Sequence, residues 1–351
     1  MGVIFSFYFG GFMLGSFLSS WIVNYFSRKV LLLISYLVIS GAVFSLAFTA
    51  NFAHIATSFF LIGLCGGFLE SQITTLMIDL NKKNEGLYVN LSQVFFGIGA
   101  FIGPMITALI IGNEIHWKYT FIITGVLCLL NFIFFLFIDI SHLEMEKIKG
   151  TANIFSSGGL KNKSIFIILI FAMFFYVCSE IGLAAYIPTF LRLEKGFTDV
   201  FAAQVLSYFW LSSILGRVVI GFLTKKIKIL YILLGITLLS ILSIIGGIYF
   251  KNNILIITSF ILTGIFLSGI WPLIVTEGGL QYPYRRNFVV AIIIFFGGLG
   301  GLSAPLLIST IYDSSGLLTA MNLNYIFLIL VFLFILALVL INRKAYYTKN
   351  D

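Results

Sequence analysis

Glu70 stands in the middle of an apolar run, LIGLCGGFLESQITTLMIDL, and Asn90 and Gln93 stand in the next one, LYVNLSQVFFGIGAFIGP. A carboxylate and two amides in hydrocarbon are costly unless they face one another or a water-filled space. A carboxyl placed there can carry a proton, accept hydrogen bonds from the hydroxyls of a solute, or pair two helices. Asn90 and Gln93 are three apart and so share a helix face. Their amides both donate and accept, which suits a polyol and equally suits bonding between helices. Glu180 lies deep in a later run, with Tyr176 one turn before it and Tyr186 beyond. Trp271, beside the helix-distorting Pro272, can stack on the apolar face of a hexose, close a gate, or pack. Trp210, two residues after Tyr208, has the same choices, with packing foremost.

A second set of charges sits toward the ends of the apolar runs: Arg28, Asp79, Arg217 and Glu277. Arg217 is about two turns from the end of its run and can snorkel to the interface or join an inner gate with Asp79 or Glu277. Arg28, beside Lys29, reads either as a gate residue or as a topology anchor. Pairs made in one state and released in another are a common switching device.

The elements that must position these groups are membrane helices. Of 351 residues, 60% are apolar and only 10% charged, against about 25% charged in a soluble domain; the mean hydropathy is +1.10. The runs reach the roughly 20 residues a spanning helix needs and lack the strand-length alternation of a membrane barrel. Spans are expected at 3–25, 30–50, 54–79, 87–111, 118–140, 164–190, 199–223, 229–250, 254–278, 288–311 and 323–342, eleven in all. One alternating set of loops, with the C-terminal tail, holds Arg28, Lys29, Lys82, Lys83, Lys147, Lys149, Lys161, Lys163, Lys225, Lys226, Lys228, Arg285, Arg286, Arg343, Lys344 and Lys349. The other holds Lys118, Arg192, Lys195 and Lys251. Sixteen against four makes the first set, and the C-terminus, cytoplasmic. The polar stretch 141–163 reads as a cytoplasmic linker between a bundle over 1–140 with five helices and a bundle over 164–351 with six.

The halves echo one another at an offset of about 200 residues: Phe95-Phe96-Gly97 returns as Phe295-Phe296-Gly297, Pro104 as Pro305, Gly63 as Gly264, and Leu14-Gly15 as Leu215-Gly216. Glu70 then falls on Trp271. Such an offset suits two transporter halves related by a parallel repeat. The sixth span has no partner in the first half, so the expectation is a six-plus-six design lacking its first helix here.

Several classes drop out. The net charge of +8 lies in loops between spans, as membrane topology demands, and implies no nucleic acid. Cys65, Cys128 and Cys178 lie inside spans with no disulfide or metal spacing, and His54, His116 and His142 are far apart. Gly97, Gly99 and Gly103 lack the strand and lysine of a phosphate loop. Gly11 and Gly15 form a common small-residue packing pattern. No cleavable signal is visible. The expectation is no cofactor, no metal, no catalytic residue and no enzyme.

The loop Ser20-Trp-Ile-Val-Asn-Tyr-Phe-Ser-Arg-Lys29 resembles the signature loop of the major facilitator superfamily, with Asn24 in place of the acid and Tyr25 in place of a base. The second-half copy, Leu215 to Lys226, keeps the small residues and the basic end. Glu70, Asn90 to Gln93, the FFGIGAFIGP run, Tyr176 to Glu180 with Tyr186-Ile-Pro-Thr189, and Tyr208 to Trp210 with Gly216-Arg217 resemble the fucose-permease branch of that superfamily. The resemblance implies an all-α major facilitator fold, a cavity between two bundles, alternating access, and carriage of a small polar solute, a monosaccharide, across the cytoplasmic membrane. The branch is similar in having a proton-linked acid in its first helix and another in the helix matching the third span here. Glu70 matches the latter; the former has no counterpart in this chain. A monomer in the lipid bilayer, with the proton as a candidate partner, is expected. The rivals are a drug or amphipath exporter of the same fold and a membrane sensor that binds without flux.

Overall fold

The computed structural model describes residues 2–49, 51–140 and 163–347, and each expected span is helical in it. The helices are α1 (Gly2–Ile22), α2 (Arg28–Leu46), α3 (Phe52–Leu80), α4 (Glu85–Gly112), α5 (Lys118–Leu136), α6 (Lys163–Lys195), α7 (Asp199–Leu223), α8 (Ile229–Tyr249), α9 (Asn253–Leu267), α10 (Ile270–Gln281), α11 (Arg286–Ser315) and α12 (Leu317–Tyr347). Among the described residues ten segments are long and apolar enough to span a membrane, α9 and α10 together making one, Asn253–Gln281. α1 adds 21 residues without a charge. The expected linker, 141–163, lies outside the described residues except for its last position.

Local sequence explains where several helices start. Ser27 accepts from the Val30 amide, Asn51 from Ala53 and His54, Thr198 from Phe201, and Asn252 from Ile254 and Leu255. Each side-chain oxygen satisfies a backbone donor that a helix leaves open at its first turn. One span departs from expectation: 254–278 is not one helix but two, divided at Ser268-Gly269. Pro272 has no N–H to give to the carbonyl one turn earlier, so the ladder stops there and restarts with Leu273 N–H on Gly269 O at 3.1 Å. The break leaves Trp271 at the start of α10.

The repeat is visible in the packing. α1 crosses α3 and α7 crosses α9 with backbones in contact. A Cβ on Gly15 would run into the Leu64 carbonyl oxygen, and one on Gly216 into the Ile265 carbonyl oxygen. Both pairs are shifted by the same offset of about 200 residues. Gly11, Gly63 and Gly67 close the first crossing in the same way, against Phe60, Tyr8 and Phe12. Small residues let membrane helices approach until dispersion and polar contacts act across them; Ser19 Oγ donates to Ser71 Oγ at 2.8 Å in this seam. Gly15→Val forces the two backbones apart, and overpacking costs about 3 kcal/mol. Thermal unfolding in detergent should show a large drop in midpoint, and a wild-type midpoint would contradict the contact.

The two halves differ in one respect. α6 is wedged against both α11 and α12, whereas α4 and α5 barely meet and expose Ile102, Met105, Leu109, Leu130 and Phe134. The main core accordingly centres on α6, α10 and α11, around Met173, Tyr176, Ile274 and Ile294. The halves meet along α1 on α11 and α4 on α7.

Candidate functional site

α3 and α4 bring Glu70 to Gln93. Gln93 Nε2 donates to Glu70 Oε1 at 2.8 Å, and Thr74 Oγ1, one turn along α3, donates to the same oxygen at 3.4 Å. From the other half, Tyr176 Oη donates to Glu180 Oε1 at 2.7 Å, a pairing set by their one-turn spacing on α6. Tyr176 and Gln93 are buried, whereas the two glutamates are half-exposed within the bundle. Arg217, on α7, lies within electrostatic reach of both Glu70 and Glu180 without pairing with either at contact distance. Its Nη1 donates across the divide to the Gln93 backbone carbonyl at 2.9 Å. Its guanidinium lies over the Phe96 ring, 5.5 Å from the centroid. Its Nε has no partner.

Trp271 completes the group. The break before α10 turns its indole toward Glu70, yet Nε1 closes no hydrogen bond and is buried. A buried donor without a partner costs free energy, so this N–H is free to close on the Glu70 carboxylate it faces or on an acceptor of a bound solute. Tyr8 of α1 joins from a third side, its hydroxyl over Gly66, one turn before Glu70. Two carboxylates, one guanidinium, a carboxamide, two phenols and an indole thus face a common region where the two halves meet. That set can bind a hydroxylated solute and can hold and pass a proton.

Other expected site residues lie elsewhere. Asn90 Nδ2 donates to Gly86 O on its own helix at 2.7 Å, and Asn90 packs against Gly221 between α4 and α7. It shares a face with Gln93 but not a hydrogen-bond group. Tyr186 meets Tyr312 edge-on at 6.4 Å toward the far end of α6, and Trp210 meets Phe209 at 5.3 Å.

The basic end, where the lysine- and arginine-rich loops lie, is closed by ions. Asp79 Oδ2 accepts from Arg28 Nη1 at 3.2 Å and Nη2 at 3.1 Å, and Asp79 Oδ1 accepts from Arg286 Nη1. Arg28 also reaches Asn287 Oδ1 at 3.4 Å. The first half is therefore tied to the second at the start of α11. Two residues expected at this gate do not bond to Asp79. Arg217 sits deeper, because its long side chain follows α4 inward to Gln93. Glu277 accepts from Gln281 Nε2 at 2.7 Å on its own helix.

Residues 1–276 match the family model described as Major Facilitator Superfamily. The chain belongs to this superfamily. It is a multi-pass membrane transporter by family, not an enzyme. It is 24% identical over 346 residues to the Protein TsgA homolog of Buchnera aphidicola subsp. Schizaphis graminum (strain Sg), covering 98% of this chain and 87% of that one. It is 24% identical over 340 residues to the glucose/mannose transporter GlcP of Bacillus subtilis (strain 168), covering 92% and 82%. Its fold superposes on the crystal structure of the superfamily transporter FucP in the outward conformation with a TM-score of 0.83, at 18% identity over 95% of this chain and 88% of that one.

Within this superfamily frame, sequence reasoning missed Tyr8 as part of the group and Arg286 as the second partner of Asp79. The signal for Tyr8 was the glycine pair Gly66-Gly67 just ahead of Glu70, which announces a helix passing close to the acid. Arg286 carried no local signal: Asp79 is 207 residues away in sequence.

Proposed function

We propose that this protein is a secondary transporter of the cytoplasmic membrane that moves a monosaccharide by alternating access, with the proton as coupling ion. The observation that carries the reading is the Glu70–Gln93 pair beside the unpartnered Trp271 N–H: an acceptor, a donor–acceptor amide and an aromatic face with a spare donor. Hydroxyl groups satisfy all three, and the indole face covers the apolar side of a sugar ring. The name of the Bacillus relative, a glucose/mannose transporter, supports the same class. The bundles are 1–140 and 164–351, and the protein works as a monomer. The excess of lysine and arginine supports a cytoplasmic basic end and a cytoplasmic C-terminus. On that orientation the Arg28–Asp79–Arg286 clamp closes the cytoplasmic side, leaving the site to the outside.

Proteoliposomes loaded with unlabelled glucose, mannose or fucose should take up the labelled sugar by counterflow for at least one of the three. Unlabelled hexoses should compete, and lipophilic cations should not. Hexose counterflow at background together with flux of a lipophilic cation would replace the sugar reading with a drug exporter. Binding without counterflow would replace it with a sensor.

A further inference from the structure

Arg217 and Gly97 belong to opposite halves, and the structure fits one to the other. Arg217 is 3% exposed; its guanidinium lies over the Phe96 ring and donates to the Gln93 carbonyl. In an α-helix that carbonyl is the one reached by the N–H of Gly97, four residues on. The guanidinium therefore shares an acceptor with the Gly97 backbone and lies against the place where a side chain at 97 would be. A Cβ there would stand 2.9 Å from Arg217 Nη1 and 2.8 Å from Ile214 Cγ1. Nη1 is the end of a flexible side chain and Cγ1 a branch of a stiffer one, and neither is backbone, so a methyl at 97 displaces side chains without breaking the helix. The repeat-related residue does the same for another member of the group. A Cβ on Gly297 would stand 2.7 Å from Trp271 Cζ3 and 3.0 Å from Cη2. In each copy of Phe-Phe-Gly the glycine leaves a flat floor on which a planar side chain of the site rests.

We propose that Gly97 is a positioning residue for transport: it admits Arg217 from the other half onto the Gln93 carbonyl, and so holds the guanidinium beside Glu70 and Glu180 while the basic end is closed. The consequence for flux rests on the proposed function, but the seating does not. An arginine is always charged, and its polar anchorage here lies across the divide. Parting α4 from α7 at the basic end removes that anchorage. Unseating Arg217 in advance therefore removes a contact that favours the closed arrangement and leaves the open one untouched.

The test measures spin–spin distances between labels at Lys83→Cys and Lys225→Cys, both exposed at the basic end, in nanodiscs without solute. Cys65, Cys128 and Cys178 are first replaced. Gly97→Ala should raise the population with a long separation about tenfold, the worth of one hydrogen bond to a charged group. Arg217→Lys should do the same, and the double variant should go no further, since both remove one contact. Unchanged distances in Gly97→Ala, or additive shifts in the double variant, would overturn the proposal. So would restoration of the closed distance by Gly97→Ala with Ile214→Ala, which would assign the effect to Ile214. If Gly97→Ala does not fold, Phe96→Leu, which removes the ring beneath the guanidinium, must open the same end; if it does not, the seating is wrong. Absence of sugar flux in the wild type would overturn the proposed function while leaving these distances to decide the seating.

Discussion

Asp79→Ala is expected to be the most damaging single change at the basic end, costing about 3 kcal/mol or more in stability and opening that end. The magnitude follows from the arrangement. Asp79 is the one carboxylate shared by Arg28 and Arg286, and the three side chains are 11%, 4% and 13% exposed. Removing a partner from a buried pair leaves an uncompensated charge, and here it leaves two. Removing either arginine is milder, because Asp79 keeps the other. The two arginines also differ in kind. Arg28 is in the same half as Asp79, so Arg28→Ala mainly loosens α2 on α3. Arg286 is in the other half, so Arg286→Ala unties the halves and should favour the open basic end with a smaller loss of stability. Thermal midpoints together with alkylation of a cysteine introduced at Thr224, which packs against Gly86 of the other half, separate these effects. Asp79 variants that melt like the wild type and stay as slowly alkylated would show that the clamp carries no weight.

The sequence was most legible where one physical constraint dominates. Hydrocarbon demands long apolar helices with internally satisfied backbones, so the spans could be read from run length alone. The repeat was equally readable, because Gly15 and Gly216, and Gly63 and Gly264, are forced by backbone contact and no other residue fits. The break at Ser268-Gly269 is not legible in the same way. Pro272 marks a distortion, but Pro188 and Pro305 lie inside unbroken helices, and what a proline does to a span depends on what packs beside it. A Cβ on Gly269 would lie 2.6 Å from Ile220 of α7, so the turn is also held by a neighbour that local sequence cannot name.

The polar group divides in the same way. Pairs within one helix or between consecutive helices were within reach: Tyr176 with Glu180 by spacing, Gln93 with Glu70 by the short loop between α3 and α4. Asn90 shows the limit of that reasoning. It shares Gln93's face, yet one turn along the helix faces a different neighbour, Gly221, and its amide turns back to its own backbone. Arg217 shows the limit for long side chains. Its Cα is near the basic end, but its head is carried inward to an acceptor 124 residues away in sequence, a distance at which no spacing rule operates.

Glu70→Gln should abolish gradient-driven accumulation while leaving exchange measurable. With the membrane potential clamped at zero, one pH unit across the bilayer is worth about 1.4 kcal/mol, and a carrier moving one proton per solute accumulates about tenfold against it. A glutamine at 70 can still accept from Gln93 Nε2 and Thr74 Oγ1, so the solute side of the site keeps its shape. What it loses is the exchangeable proton. Accumulation should then stop at equal concentrations on the two sides, with counterflow continuing near the wild-type rate. Glu180→Gln is the comparison that gives the result its meaning. Both carboxylates lie near Arg217, but Glu180 is bonded to a phenol that donates to it, whereas Glu70 is bonded to the Gln93 amide and faced by the Trp271 indole. If the proton is carried at Glu70, Glu180→Gln retains accumulation and shifts its pH dependence. If instead Glu180→Gln equilibrates and Glu70→Gln accumulates as before, the proton travels on the second half of the repeat and Glu70 serves the solute alone.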